Sequence, residues 1–590
     1  MICLIRPPAV DSIRFATTSI TLPLGLAYIT AALEQAGHEV TVIDAVGQAP
    51  EVRTRYLKGY LFGMRYAEVV RRIPPETRVV GLSVTFTHEW PSAIALIGEI
   101  KRARPDLPVI LGGEHITSMP EFSLLTSEAD VLVLGEGEQQ IVELIDALDR
   151  GLPLAPISGI AFRDGDAIVI NPRRARNEAI DDLPLPAWHH FEIETYHRHG
   201  LIGCEDTPLL TIPILATRGC PYQCTYCSAP NMWSPRWIAR DPVRVADEIE
   251  TWVKQYGARN FPFQDLTAIV RKDWIVAFCQ ELIRRDLGIT WRLPSGTRAE
   301  AIDDEVAQLL RRSGMVSMAY APESGSDETR RFIKKKMHEA KLLESVRAAA
   351  GAELYVMAFM VVGFPHDSEE TLAESLPFLG RLADNGVSDM GVSFYMALPG
   401  TQLFNSLWDA GKIRLDRDYF GHILESLSFF PRRSWVEGLS RGELARWKLR
   451  FYRAFYAARR TAAGEAGGFL RQLVERARKL SRGEDRSRMQ TALRNGLRTT
   501  WQTARAQFKP GWVSRERERA FFDGWTEIYA RIRETKLRDG IVTAAPADTR
   551  ELHRTNVVPL LEGEHHRGRR LPLDVAAAGA GACETSGSAQ

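Results

Sequence analysis

From residue 1 to about residue 150, short β-branched apolar runs alternate with amphipathic stretches, and this pattern admits few folds. The strand candidates are Ile2–Arg6, Val40–Asp44, Val79–Ser83, Val109–Gly112 and Val131–Gly135; helical patterns cover Leu24–Ala36, Pro91–Arg104 and Gln139–Asp149. Buried runs separated by helix-length connections predict a parallel, doubly wound α/β sheet. Sheets of this kind bind ligands at the carboxyl ends of their strands. Those ends carry Pro7-Pro8, Thr85, Gly112-Gly113 and Gly135-Glu136-Gly137-Glu138. Glycine there lets a flat ligand approach the backbone, although an ordinary turn also uses glycine.

A second alternation runs from Leu209 to about Pro431, with strand-like pieces at Thr211–Ala216, Asn260–Phe263, Ile289–Leu293, Val316–Ala321, Glu353–Val362 and Asp389–Ala397. It predicts a β/α barrel, full or partial. The proline-rich stretch Asp181–Trp188 marks residues 151–205 as a connector that also holds a short hairpin. The expected division is therefore 1–150, a connector 151–205, a barrel core 206–431, a helical C-terminal domain 432–545 and a disordered tail 546–590.

Seven cysteines are present, three of them in Arg218-Gly219-Cys220-Pro221-Tyr222-Gln223-Cys224-Thr225-Tyr226-Cys227. Such clustering suits a metal site in a reducing compartment better than a disulfide framework. Three thiolates spaced CxxxCxxC can wrap a loop around a [4Fe–4S] cube, leaving the fourth iron open for a chelating ligand. Structural zinc is the competing reading; it needs a fourth ligand, for which Cys204, His197 and His199 are candidates, and it lacks the usual paired CxxC hooks. The net charge of +1 gives no pull toward nucleic acid, and no apolar run reaches the ~18 residues of a spanning helix. The N-terminal MICLIRPP has no basic segment and reads as a strand, so a cytoplasmic protein without a signal peptide is expected.

The cysteine loop, with Tyr226 before its third cysteine, resembles that of the radical S-adenosylmethionine (SAM) superfamily. The resemblance continues in Phe263-Gln264-Asp265, in Ala321-Pro322-Glu323-Ser324-Gly325-Ser326 and in Val361-Val362-Gly363-Phe364-Pro365. It implies that Cys220, Cys224 and Cys227 ligate the cluster, and that Tyr226, Asp265, Glu323, Ser324 and Gly363 lie around bound SAM. It further implies a low-potential electron donor, flavodoxin or ferredoxin, and a 5′-deoxyadenosyl radical.

The first 150 residues resemble the cobalamin-binding domain, flavodoxin-like in fold, that precedes some radical SAM barrels. The matching pieces are Pro23-Leu24-Gly25-Leu26-Ala27-Tyr28, Val80–Ser83 with Thr85 beyond it, Gly112-Gly113-Glu114-His115 and Gly135-Glu136-Gly137-Glu138. Methionine-synthase-type domains carry DxHxxG after the first strand; Arg6–Arg14 has no histidine, so cobalamin is expected base-off without a ligand from that loop. His115 is a candidate corrin contact or a histidine with a structural hydrogen bond. Together the resemblances imply radical C-methylation of an unactivated carbon. The alternatives are oxidative cyclisation or C–C coupling of a porphyrin- or lipid-like substrate, methylthiolation, and a non-enzymatic cobalamin sensor. Methylthiolation calls for a second cysteine trio, and the first domain holds only Cys3. Aromatic and basic residues such as Arg432, Arg433, Trp447, Tyr452, Phe455 and Tyr456 could serve a lipid-like substrate, a membrane surface or a plain helical cap.

Overall fold

A computed structural model describes residues 1–12, 20–56, 59–165, 167–203, 207–462, 522, 524–539 and 556–559. Five parallel strands form the centre of the first sheet, in the spatial order Val40–Asp44, Ile2–Arg6, Val79–Ser83, Val109–Gly112 and Val131–Val133. Numbered along the chain this order is 2-1-3-4-5, the doubly wound arrangement whose switch point lies between Ile2–Arg6 and Val79–Ser83. The period of two in a strand explains its two cores. Ile2 and Leu4 face a core shared with helices Leu24–Gln35 and Glu138–Arg150, whereas Cys3 and Ile5 face one shared with Trp90–Ala103 and Pro120–Thr126.

The sheet does not stop at residue 150. Strands Ile160–Asp164 and Ala167–Ile170, the hairpin expected in the connector, add antiparallel to its edge. Asn556–Pro559 pairs beyond them, so these four residues of the expected disordered tail form a strand. The rest of that tail lies outside the described residues.

The second sheet is parallel and open, running Asn260–Pro262, Thr290–Thr297, Met315–Glu323, Tyr355–Val362 and Asp389–Phe394. Thr211 and Ile214 bridge to Asn260 and Phe263 and add a sixth strand segment. The barrel is therefore partial. Local signals set its helices. Pro242–Tyr256 begins with Asp241, whose carboxylate accepts the Val243 and Arg244 N–H groups, continues with proline at its first position and ends at Gly257 in the left-handed region.

Among the described residues, the two long C-terminal helices pack on two different parts of the molecule. Arg441–Ala462 packs on helix Glu369–Asp384 and on the edge strand Asp389–Phe394. Trp525–Arg538 packs on Pro120–Thr126 of the first domain, with an ion pair between Lys536 and the buried Glu121 at 2.6 Å. Trp447 and Phe455 are buried, Arg432 pairs with Glu425 and Arg433 with Asp416, so most of the aromatic and basic residues noted in the sequence hold the fold together.

Candidate functional site

The short strand Thr217–Arg218 feeds the cysteine loop at the carboxyl end of the first barrel strand. Gly219 at φ +87° makes the turn, and a Cβ there would lie 2.1 Å from the Arg236 carbonyl, so no other residue fits unshifted. The loop is pinned at Thr225, whose N–H donates to Ile333 O and whose carbonyl accepts from Leu403 N–H. Cys220, Cys224 and Cys227 are free thiols, each partly accessible, and electrostatically coupled to one another. Burial pushes the Cys227 thiol up to about 12, and burial also raises Cys224. A bound metal lowers thiol pKa values, so Cys224 and Cys227 would ionise on binding it. Among the described residues, the His, Cys, Asp and Glu ligand atoms that gather within 4.8 Å are those of Glu34, His189 and His190. Three thiols on one loop can each take one iron of a cube. Of the other zinc candidates, Cys204 lies outside the described residues, and His199 lines a surface cleft with Gln48 and Glu51.

Asp265 is buried below the loop. It accepts from Thr217 N–H at 2.5 Å, Thr217 Oγ1 at 2.6 Å and Ala216 N–H at 3.2 Å, which fixes the backbone three residues before Cys220. Burial nevertheless pushes its carboxyl up to about 7. Glu323 ends the strand Met315–Glu323 at φ +66°, a conformation that costs a non-glycine residue about 1–3 kcal/mol and that recurs at functional sites. Its Oε1 accepts from Tyr226 Oη at 2.8 Å and from Lys335 Nζ at 3.1 Å. Lys335 and Glu323 both act electrostatically on Cys224. The structure therefore brings Tyr226, Glu323 and the cluster loop together. Ser324 caps its own turn through Ser326 N–H, and Gly363 sits at the end of Tyr355–Val362, where Asp367 accepts its N–H at 2.8 Å.

The first sheet turns its carboxyl ends toward this loop. Glu114–Ser118 packs on Ala229–Trp233, the short helix that follows Cys227 and Ser228. Glu136 and Glu138 hold Arg218, at 3.1 and 2.5 Å, with all three side chains at most 10% exposed. Glu136 also pairs with Arg176 at 2.7 Å. Gly135 and Gly137 make the turn that presents these carboxylates, so Gly135–Glu138 is a clamp between the domains. Gly113 has φ +123° because its Cα faces the Val84 carbonyl, which a Cβ would meet at 2.2 Å; the fold itself demands this glycine. Gly112 is half-buried at the same strand end, Thr85 is exposed beyond the switch-point strand, and Gly25 is exposed with open space around it.

Two of the expected cofactor-contact residues are buried. Leu24 belongs to the core. His115 is 1% exposed, its Nδ1 is 3.3 Å from Thr87 Oγ1, and its ring lies 5.0 Å from that of Trp90. Burial draws its pKa down to about 3, so the ring stays neutral. The histidine that the sequence reading overlooked is His88, half-buried in the turn Thr87–Glu89 after the switch-point strand and stacked on the exposed Phe86 ring. Lys335 was hidden in the run Lys334-Lys335-Lys336, and Arg218 was visible only as the residue before Gly219. An acidic Gly-Glu-Gly-Glu turn and a lone arginine at the cluster loop are complementary charges, a signal that pairs them.

A doubly wound sheet that offers its strand ends to a three-thiol loop on a partial barrel defines a class: a cobalamin-binding domain joined to a radical SAM domain. The chain is a radical SAM enzyme of this class, for residues 13–145 match the B12 binding domain and residues 214–379 the radical SAM superfamily. Its cofactors are those of the two domains: cobalamin, a [4Fe–4S] cluster and SAM. It is 25% identical over 405 residues to an uncharacterised methyltransferase from Pyrococcus horikoshii, covering 68% of this chain and 82% of that one. It is 26% identical over 435 residues to cytidylyl-2-hydroxyethylphosphonate methyltransferase from Streptomyces wedmorensis, covering 67% and 79%. It is 28% identical over 434 residues to the anaerobic magnesium-protoporphyrin IX monomethyl ester cyclase from Rubrivivax gelatinosus, covering 70% and 75%. In fold it is similar to the radical SAM methyltransferase TsrM from Kitasatospora setae, at a TM-score of 0.55, 19% identity and 69% and 74% coverage. It is similar also to the cobalamin-dependent SAM radical enzyme OxsB, at 0.59, 15% identity and 94% and 82% coverage.

Proposed function

We propose that this enzyme transfers a methyl group to an unactivated carbon of a small-molecule or lipid-like substrate. When bound, SAM on the cluster supplies a 5′-deoxyadenosyl radical that removes a hydrogen atom, and cobalamin, recharged by a second SAM, supplies the methyl group. The observation that carries this reading is the docking of the first sheet's strand ends on the cluster loop, through the packing of Glu114–Ser118 on Ala229–Trp233 and the Glu136/Glu138–Arg218 ion pairs. Two cofactor sites held at one domain junction can act on one substrate carbon.

The residues divide the work as follows. Cys220, Cys224 and Cys227 hold the cluster, and Asp265 fixes the backbone that leads into them. Glu323, oriented by Tyr226 and Lys335, offers its carboxylate to SAM, with Ser324 and Gly363 at the neighbouring strand ends. Gly25, Thr85, Gly112 and Gly113 form the rim that faces the corrin, and no histidine stands in the loop after Ile2–Arg6 to ligate it. Reduction comes from a low-potential flavodoxin or ferredoxin.

The test is product analysis with anaerobically reconstituted, cobalamin-loaded enzyme, reductant, SAM and candidate substrates. Methylation yields 5′-deoxyadenosine together with S-adenosylhomocysteine, and a product heavier by one methylene. Deoxyadenosine with a product that has lost hydrogen, and no S-adenosylhomocysteine, supports oxidative cyclisation or coupling instead. The likeness to the Rubrivivax gelatinosus cyclase favours that second reading.

A further inference from the structure

The chain is nearly neutral, with 75 Lys and Arg against 74 Asp and Glu, yet residues 441–520 hold 21 of the basic residues and only 7 of the acidic ones. The structure shows how this basic segment starts. Helix Arg441–Ala462 buries Leu444, Trp447, Phe451 and Phe455 against the barrel. Its opposite face exposes Arg446, Leu449, Arg450 and Arg453, spaced to form one stripe.

Beside this stripe lies the loop that follows the barrel, with Leu427, Phe429 and Phe430 exposed by 57%, 58% and 64%. Large apolar side chains turned outward in a row are costly in water and mark a contact surface. The loop is also held rigidly. Lys448, 1% exposed, donates to the carbonyls of Leu427 at 3.0 Å and Ser428 at 2.8 Å, and Ser428 Oγ donates to Phe430 O. The Phe429 ring lies 6.4 Å from that of Tyr452 on the helix. A buried ammonium is thus committed to fixing a loop whose side chains find no place in the core. The loop begins where Phe394, the last residue of the last barrel strand, donates its N–H to Ser426 O. The patch therefore stands at the carboxyl end of the barrel, the end that carries the cluster loop.

We propose that this patch docks the enzyme on an anionic lipid bilayer. Phe429, Phe430, Leu427 and Leu449 enter the interfacial layer while the arginine stripe meets headgroup phosphates, the two-component pattern of peripheral membrane binding. Nucleic acid would satisfy the arginines but give the aliphatic Leu427 and Leu449 no apolar medium. Among the described residues no helix is long and apolar enough to cross a membrane, so the contact is peripheral. The proposal stands independently of the methylation reading and opens the barrel mouth toward a membrane-held substrate.

The experiment is cosedimentation of the full reconstituted chain with vesicles of phosphatidylcholine alone or mixed equally with phosphatidylglycerol. Binding to the mixed vesicles, little to phosphatidylcholine alone, and weakening by salt are expected. Phe429→Ser/Phe430→Ser and Arg450→Glu/Arg453→Glu should each lower partitioning about tenfold or more, and Arg450→Lys/Arg453→Lys should retain it. Iron and cobalamin contents, unchanged in every variant, report an intact fold and stay independent of turnover. Absence of binding to the mixed vesicles, or binding that both double variants leave intact, overturns the proposal. So does tighter binding to single-stranded RNA that the phenylalanine changes do not affect.

Discussion

At the residue scale, the cluster assignment separates three cysteines from the rest. Cys3 and Cys279 are buried, with thiols raised to about 12 by desolvation, and are inert core residues. Changing Cys220, Cys224 or Cys227 to Ala should therefore abolish iron–sulfur absorbance after reconstitution, whereas Cys3→Ala and Cys279→Ala should keep it; iron and sulfide analysis checks this. Two histidines make a pH prediction. His422 Nε2 lies 2.8 Å from Tyr395 O and its Nδ1 accepts from Arg433 N–H, which fixes a neutral tautomer, and burial draws its pKa down to about 4. His115 is likewise held neutral. Below about pH 6.5 the unfolded chain takes up protons that these folded rings refuse, so each costs up to about 1.4 kcal/mol of stability per pH unit until its folded pKa is reached. His422→Gln should flatten the stability loss between pH 6.5 and 4 measured by urea unfolding, and an unchanged slope would refute the assignment. The cysteine loop was legible in the sequence because its spacing places three thiols on one turn. The burial of Leu24 and His115 was not legible, because a motif identifies a strand end without saying which of its side chains turn inward.

At the element scale, the helix Arg441–Ala462 covers an open edge. The strand Asp389–Phe394 is the last of a partial barrel, with no further strand beside it among the described residues. Tyr452 Oη accepts the Val392 N–H at 3.2 Å, Tyr456 pairs with Asp389, and the aromatic face of the helix fills the space between. Tyr452→Phe leaves the Val392 N–H without that partner and should destabilise by about 1–3 kcal/mol in denaturant unfolding, with little change in iron content. Strands and helices of both sheets were readable from periodicity, since each is long and strongly patterned. The hairpin Ile160–Ile170 was seen but placed in a connector, because sequence shows a hairpin without showing which sheet edge receives it. The destinations of the two C-terminal helices were hidden for the same reason: an amphipathic face does not name its partner.

At the scale of the whole molecule, each of the two cores runs across the boundary between the domains. One joins Ile2 and Leu33 to Ile212 and Phe261, and the other joins Val80 and Leu111 to Phe404 and Tyr419. Such sharing makes the two cofactor domains one folding unit and fixes their strand ends against each other. Arg218 is the polar element of that junction, 4% exposed between Glu136 and Glu138. The carboxylates hold its guanidinium firmly protonated despite burial, with the Tyr28 ring 5.4 Å away. Removing one member of such a buried set strands the others, so Arg218→Met should cost about 3–5 kcal/mol in denaturant unfolding. Adding Glu136→Gln and Glu138→Gln to it should recover part of the loss, because the stranded charges are then gone. The same change should reach the cluster, since Arg218 stands two residues before Cys220 and Gly219 leaves no slack in the turn. The Arg218→Met protein should therefore retain less iron after reconstitution, and Arg218→Lys should restore iron more fully than stability, because it keeps the charge but not the two-armed geometry. If Arg218→Met matched the parent in both unfolding and iron content, the Glu136–Arg218–Glu138 clamp would have no part in joining the two cofactor sites.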